Sequence, residues 1–345
     1  MTFNTLILNQ AIRYLSYTMI VLSTIIIGFM ILSFPLGAYA FYNGGMGLEY
    51  SAQQFANIPV FILGIPLGIA GGISLMDAFA ILWIVYLILF VIILNGPFVS
   101  MPSVIRRTMR GEMTILTLNS SFSMVIVFSS LYLVSFLIEI IQSSLGISTG
   151  ALTLENPLVD FFSISLAPLT EEIGFRVSTI GLVGFALMFG RVGLIKALRM
   201  FWHPQRYLVA KSANTRQQDM RVLYSIALFT GIFFGISHLL FGGGWEIGKV
   251  TTGSLAGVAL GVMYIQFGLP NAILLHWSFN YFRGAYFYFG DITSSNILGY
   301  IMEVSVLITG AGGILLLTLI FIARRIYGIN ETYSMNLINE GGIDA

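Results

Sequence analysis

Nine apolar runs dominate the chain, at 15–40, 57–76, 77–99, 121–144, 161–190, 222–242, 247–267, 269–290 and 297–323. None shows the strict alternation of a barrel strand, so each is expected to be helical. Most match the roughly 20 residues that a helix needs to cross a bilayer. The run 57–76 departs from the pattern, because Pro59, Pro66 and several glycines interrupt it and only Asp77 parts it from the next run. It is expected to be a re-entrant or broken helix. The fold class that follows is all-α, a polytopic transmembrane helical bundle of about 8 spans plus that segment.

Composition agrees: 57% of the 345 residues are hydrophobic and 9% charged, against about 25% charged in soluble domains. The chain has no cysteine, which excludes disulfides, thiol nucleophiles and thiolate metal sites. A net charge of +1 gives no reason to expect a nucleic-acid partner. The triplet Ala38–Ala40 looks like a signal-cleavage site, but the apolar run before it outlasts a signal core. It is expected to be a retained first span. With no organelle-targeting signal, a prokaryotic cell membrane is the simplest location.

Loop charges suggest an orientation. Arg106, Arg107 and Arg110 mark the 100–120 loop, seven basic residues the 191–221 loop, and Arg324 and Arg325 the start of the tail. All three are expected to be cytoplasmic. Loops 41–56 and 145–160 carry Glu49, Glu155 and Asp160 without a basic residue, and read as external. This alternation closes only if 57–76 does not cross fully. Gly253, Gly257 and Gly261 fall four apart, a helix-packing face. The region after Arg325 reads as a mobile polar tail.

Ionisable groups at membrane depth are expensive, so each is a functional-site hypothesis. Glu172 and Arg176 are four apart and share a helix face, with the glutamate in the favourable N-terminal position. Glu171 points about 100° away. A structural charge pair therefore explains Glu172 and Arg176 but not Glu171. His238 follows Phe234 by four residues, and His276 precedes Asn280 by four. Each alone reads as a satisfied buried polar group. Together they form a hydrolytic toolkit: a carboxylate in a poorly solvated site acts as a base, and imidazole and carboxamide N–H groups stabilise an oxyanion. His203 lies in the basic loop and reads as a surface residue. Glu139, Glu303 and Arg283 are expected at external span ends, where snorkelling accounts for them. Glu246 and Lys249 are expected at a helix start.

The three motifs "EEIGFR" (Glu171–Arg176), "FGISH" (Phe234–His238) and "HWSFN" (His276–Asn280) resemble, in residues and order, those of the CAAX-protease and bacteriocin-processing family of intramembrane endopeptidases, which includes the type II CAAX prenyl endopeptidase. The resemblance covers about 155–290. It implies Glu171 as the base that activates water, His238 as a partner for that water, and His276 and Asn280 as the oxyanion site. Glu172, Arg176 and Phe234 would be supporting. It requires no cofactor; a Zn²⁺ held by Glu171, His238 and His276 is the alternative. The implied partners are the lipid bilayer and a peptide or protein substrate in or at the membrane, possibly a prenylated one. Domain organisation then reads as 1–150, membrane helices of unassigned role; 151–323, the catalytic bundle with its basic loop 191–221; and 324–345, the polar tail. If that loop is cytoplasmic, Glu171 and His238 lie nearer the outside, whereas CAAX processing faces the cytosol, which favours a more general peptidase. Rival readings are a secondary transporter that uses the same polar cluster, supported by broken spans, and a non-catalytic immunity or scaffold protein, which would lack a motif residue.

Overall fold

Backbone polar groups inside lipid must be satisfied within the chain, and long apolar segments meet that demand as helices. A computed structural model describes residues 3–43, 57–70, 72–110, 113–151, 156–241 and 243–327. Along it run α1 (Phe3–Asn43), β1 (Asn57–Ile62), β2 (Ile65–Ala70), α2 (Leu75–Asn95), α3 (Met101–Met109), α4 (Ser120–Ser144) and α5 (Pro157–Glu172). A π-helical segment, Ile173–Gly181, joins α5 to α6 (Leu182–Val192). Then come α7 (Leu194–Leu198), α8 (Pro204–Tyr207), α9 (Ala213–Phe241), α10 (Ile247–Phe267) and α11 (Leu269–Trp277). A second π segment, Ser278–Phe282, leads into α12 (Arg283–Thr293), and α13 (Ile297–Tyr327) closes the described chain.

Among the described residues, seven helices are long and apolar enough to cross a membrane: Ile7–Asn43, Leu75–Asn95, Ser120–Ser144, Pro157–Val192, Ala213–Phe241, Ile247–Phe267 and Ile297–Ala323. The expected all-α polytopic bundle is therefore observed. Ala38–Ala40 lies inside α1. The stretch 269–293 is helical too, and α11 is buried from Pro270 to Trp277. The external reading of Glu49 and Glu155, and the tail beyond 327, lie outside the described residues.

The run 57–76 requires correction. It is not a helix: 57–70 forms an antiparallel hairpin in which Ile62 pairs with Ile65 and Asn57 with Ala70. Leu63 and Gly64 make its two-residue turn, both with positive φ (51° and 77°), as a twist-matched turn requires. Pairs alternate outward from a two-residue turn, beginning with a hydrogen-bonded one. That places Pro59 and Pro66 at non-hydrogen-bonded positions, where a missing N–H costs no ladder bond. The hairpin is anchored by Gly64 N–H donating to Gly174 O at 3.1 Å and Leu63 N–H to Ser178 Oγ at 2.9 Å.

The chain divides into two compact units. One comprises 1–31, 91–134 and 300–345, the other 32–90 and 135–299. In the first, Ile12, Met19, Val104, Phe122, Leu316 and Ile320 form an apolar core. Asn119 caps α4 through Oδ1, which accepts from Ser121 and Phe122 N–H. Glu303 accepts from the Tyr132 hydroxyl at 2.6 Å, so it has an internal partner as well as its position near a span end.

The second unit holds every motif residue, and α9 and α10 pack in it through small residues on both sides. A Cβ on Gly253 would stand 3.1 Å from Gly235 Cα, one on Gly257 2.6 Å from Gly231 O, and one on Gly261 2.8 Å from Ala227 Cβ. The expected glycine face is thus a two-sided zipper. Gly257→Ala is expected to lower stability by about 1–3 kcal/mol, because backbone rather than a mobile side chain blocks the methyl; thermal unfolding in detergent checks this.

The 191–221 segment is structured, not a plain loop. Asp219, its single acid, takes a two-pronged bond from Arg191, one arm at 3.0 Å, and Arg216 donates to Leu208 O at 2.9 Å. His203 is not a surface residue: it is 2% exposed, with Nε2 2.7 Å from Gln266 O. Burial first, and Arg206 nearby, push its pKa down to about 4, against the bond to Gln266. The unfolded value is about 6.5, so protonation favours the unfolded chain. Stability is expected to be full above pH 6.5 and to fall by about 3 kcal/mol as pH drops towards 4. His203→Gln, which keeps a donor, should flatten that part of the pH–Tm profile.

Candidate active site

The site begins at the end of α5. Asn156 caps this helix by accepting from Leu158 N–H at 2.8 Å, and after its 16 residues the α register gives way to π geometry immediately after Glu172. The second motif helix does the same: α11 ends at Trp277 and Asn280 sits inside the π segment 278–282. Such wide turns in helices concentrate at functional sites. They have no residue signature, so residue type and spacing do not foretell them.

Glu172 and Arg176 are both fully buried, with Oε2 and Nε 3.2 Å apart. The guanidinium also lies 5.1 Å from the Phe234 ring and 5.9 Å from that of Phe175, a cation–π arrangement. Two aromatic faces and one carboxylate thus hold a charge that lipid would not solvate. The other oxygen of Glu172, Oε1, stands 2.9 Å from His276 Nδ1. An ionised carboxylate only accepts, so this bond puts a proton on Nδ1. On the far side of the ring, Nε2 lies 3.3 Å from Asn280 Nδ2 and 3.8 Å from Glu171 Oε2. Glu171 is the more open of the two glutamates, at 19% side-chain exposure against 0%. Glu172 thus carries the closer contacts, to Arg176 and His276, and Glu171 the longer one.

Phe234 ties the remaining motif to this cluster. Its ring packs edge-on against His276 at 5.7 Å and His238 at 4.8 Å. His238 Nδ1 bonds Phe234 O at 2.8 Å; a carbonyl only accepts, so Nδ1 carries the proton and Nε2 keeps its lone pair. Glu171, Glu172, Arg176, His276 and Asn280 thus form one connected group. His238 stands at its border, joined through Phe234, and no hydrogen bond to Glu171 or His276 is found among the described residues. Among those residues, too, no three His, Asp or Glu side chains gather as a metal-ligand set.

Residues 32–90 support the site from behind. Tyr281, next to Asn280, donates to Phe34 O at 3.2 Å. Trp83 Nε1 donates to the same carbonyl at 3.1 Å, next to Pro35, which lies inside α1. Phe34 stacks on Trp277 at 5.4 Å, and Tyr86 bonds Ser165 O. The hairpin reaches the other motif helix, where Phe61 contacts Phe175 at 5.9 Å. These supports were not legible in sequence, because each joins positions far apart along the chain.

Residues 153–282 match the family model for type II CAAX prenyl endopeptidase Rce1-like proteins. The matched stretch contains all the motif residues and both π segments, and the resemblance is shown there. No curated protein and no solved structure matches the chain. The matched family is a protease family, and the seven apolar helices make the chain a multi-pass integral membrane protein.

Proposed function

With an Rce1-like core over residues 153–282 as premise, we propose that the protein is an intramembrane endopeptidase hydrolysing peptide bonds of membrane-associated or hydrophobic substrates. One observation carries the assignment of roles. Glu172 is occupied by Arg176 and His276, while Glu171 stands 3.8 Å from His276 Nε2 and has, among the described residues, no closer cationic partner. Glu171 takes a proton from water, and the resulting hydroxide attacks the scissile carbonyl. Asn280 donates one amide N–H to His276 Nε2 and has a second for the oxyanion. Glu171 then returns the proton to the departing amine, and the C–N bond breaks. His238, with its Nε2 lone pair, orients the water. No metal or other cofactor enters these steps.

The site lies toward the end where Gly150 and Trp245 form a bridge, and the loop-charge rule puts that end outside. Substrates then enter from the outer face, which favours a general peptidase over a processor of cytosolic prenylated tails. The cysteine-free chain makes this testable: Ser148→Cys should react with a membrane-impermeant maleimide in intact cells. Labelling only after permeabilisation would reverse the orientation. The transporter reading drew on broken spans, and one of these is a hairpin instead. The test of the function itself is mass spectrometry of peptide libraries, with prenylated and unmodified arms, incubated with purified protein in detergent. Defined cuts are expected; intact peptides in both arms would refute the proposal.

A further inference from the structure

Lys249 is a cation that the proposed reaction leaves unused. It stands in the first turn of α10, half-buried, with its ammonium 4.0 Å from the centroid of the Trp245 ring. That ring lies 6.1 Å from His238. A second observation fixes the direction independently. A Cβ on Gly253 would sit 3.8 Å from His238 Nδ1, and residue 249, four earlier, shares that helix face. Lys249 therefore flanks the histidine side of the site, with Glu171, Glu139 and Arg283 among its electrostatic neighbours. Yet among the described residues no carboxylate comes within 4.0 Å of its ammonium.

A lysine near hydrocarbon is costly unless something offsets its charge. The indole face offsets part of it, and the remainder is an unmet demand for an anion beside the hydrolytic group. A lysine whose only role was to snorkel would gain nothing from facing His238. We propose that Lys249 binds a substrate carboxylate, making it a specificity residue that selects peptides with a carboxylate close to the scissile bond. The proposal rests on the endopeptidase reading and narrows its substrate class. A free C-terminus and an Asp or Glu side chain offer the same group.

Binding is read on Glu171→Gln protein, which need not turn over, with a fluorescent apolar hexapeptide as probe. The peptide is made as the free acid, as the C-terminal amide, and as amides with either Glu or Gln at the penultimate position. At least one acid should bind about 10-fold more tightly than its neutral twin, the scale of one charge-assisted contact. Adding Lys249→Met, which keeps an apolar stem on Trp245, should bring that ratio to about one, whereas Lys249→Arg should preserve it. Matched melting temperatures exclude a folding defect. A ratio near one in both pairs, or one that survives Lys249→Met, would overturn the proposal. Wild-type cleavage is scored separately, so its absence would remove the endopeptidase reading without deciding the binding ratio.

Discussion

Replacing Glu171 with glutamine is expected to reduce peptide cleavage by about 10²–10⁴-fold, the usual worth of a positioned general base. The fold should survive. Glu171 is partly exposed and stands 3.8 Å from His276 Nε2, so the amide removes no tight ion pair. The loss should fall on kcat more than on KM, because the proton moves only as the bond to water forms. Glu171→Asp retains the carboxylate but withdraws it by one methylene, so its rate should lie between the two. Steady-state kinetics on a cleaved library peptide would show this. A Glu171→Gln protein with wild-type kcat would remove the glutamate from the reaction.

The second large effect is on stability. Arg176→Met should destabilise the protein by about 3–5 kcal/mol, because it strands the fully buried carboxylate of Glu172 with one partner fewer. The two groups are 0% exposed and 3.2 Å apart, so water does not step in. Methionine fills most of the volume between Phe175 and Phe234, which makes the loss mainly electrostatic. The double variant Arg176→Met/Glu172→Gln should therefore recover much of the stability, since an absent ion pair costs less than a broken one. Thermal unfolding in detergent compares the three proteins. A double variant no more stable than Arg176→Met would mean that packing of the guanidinium, not its charge, holds the helix.

The parts of the site legible in sequence are those that depend on residue type and local spacing. Glu172 with Arg176, and His276 with Asn280, are four apart and do meet; π geometry beside them did not separate the pairs. The apolar run 247–267 coincides with α10, with Glu246 at its start as expected and Gly268 at its C-cap. What misled was context that no short window contains. The run 57–76 has the apolar content of a span, and only the positions of Pro59 and Pro66 relative to a turn at Leu63–Gly64 make it a hairpin. His203 has basic neighbours in sequence, yet the chain folds back to put Gln266 over it. The convergence of Phe34, Trp83 and Tyr281 behind the site joins residues up to 247 positions apart, beyond any periodicity.

The central claim is that two adjacent glutamates divide the work, one for chemistry and one for structure. The most direct test is a parallel measurement of peptide turnover and thermal stability on Glu171→Gln and Glu172→Gln. The predicted result is a crossing: Glu171→Gln loses turnover at near-wild-type melting temperature, and Glu172→Gln loses stability by releasing both Arg176 and His276. Turnover retained in Glu171→Gln but lost in a fully stable Glu172→Gln would contradict it.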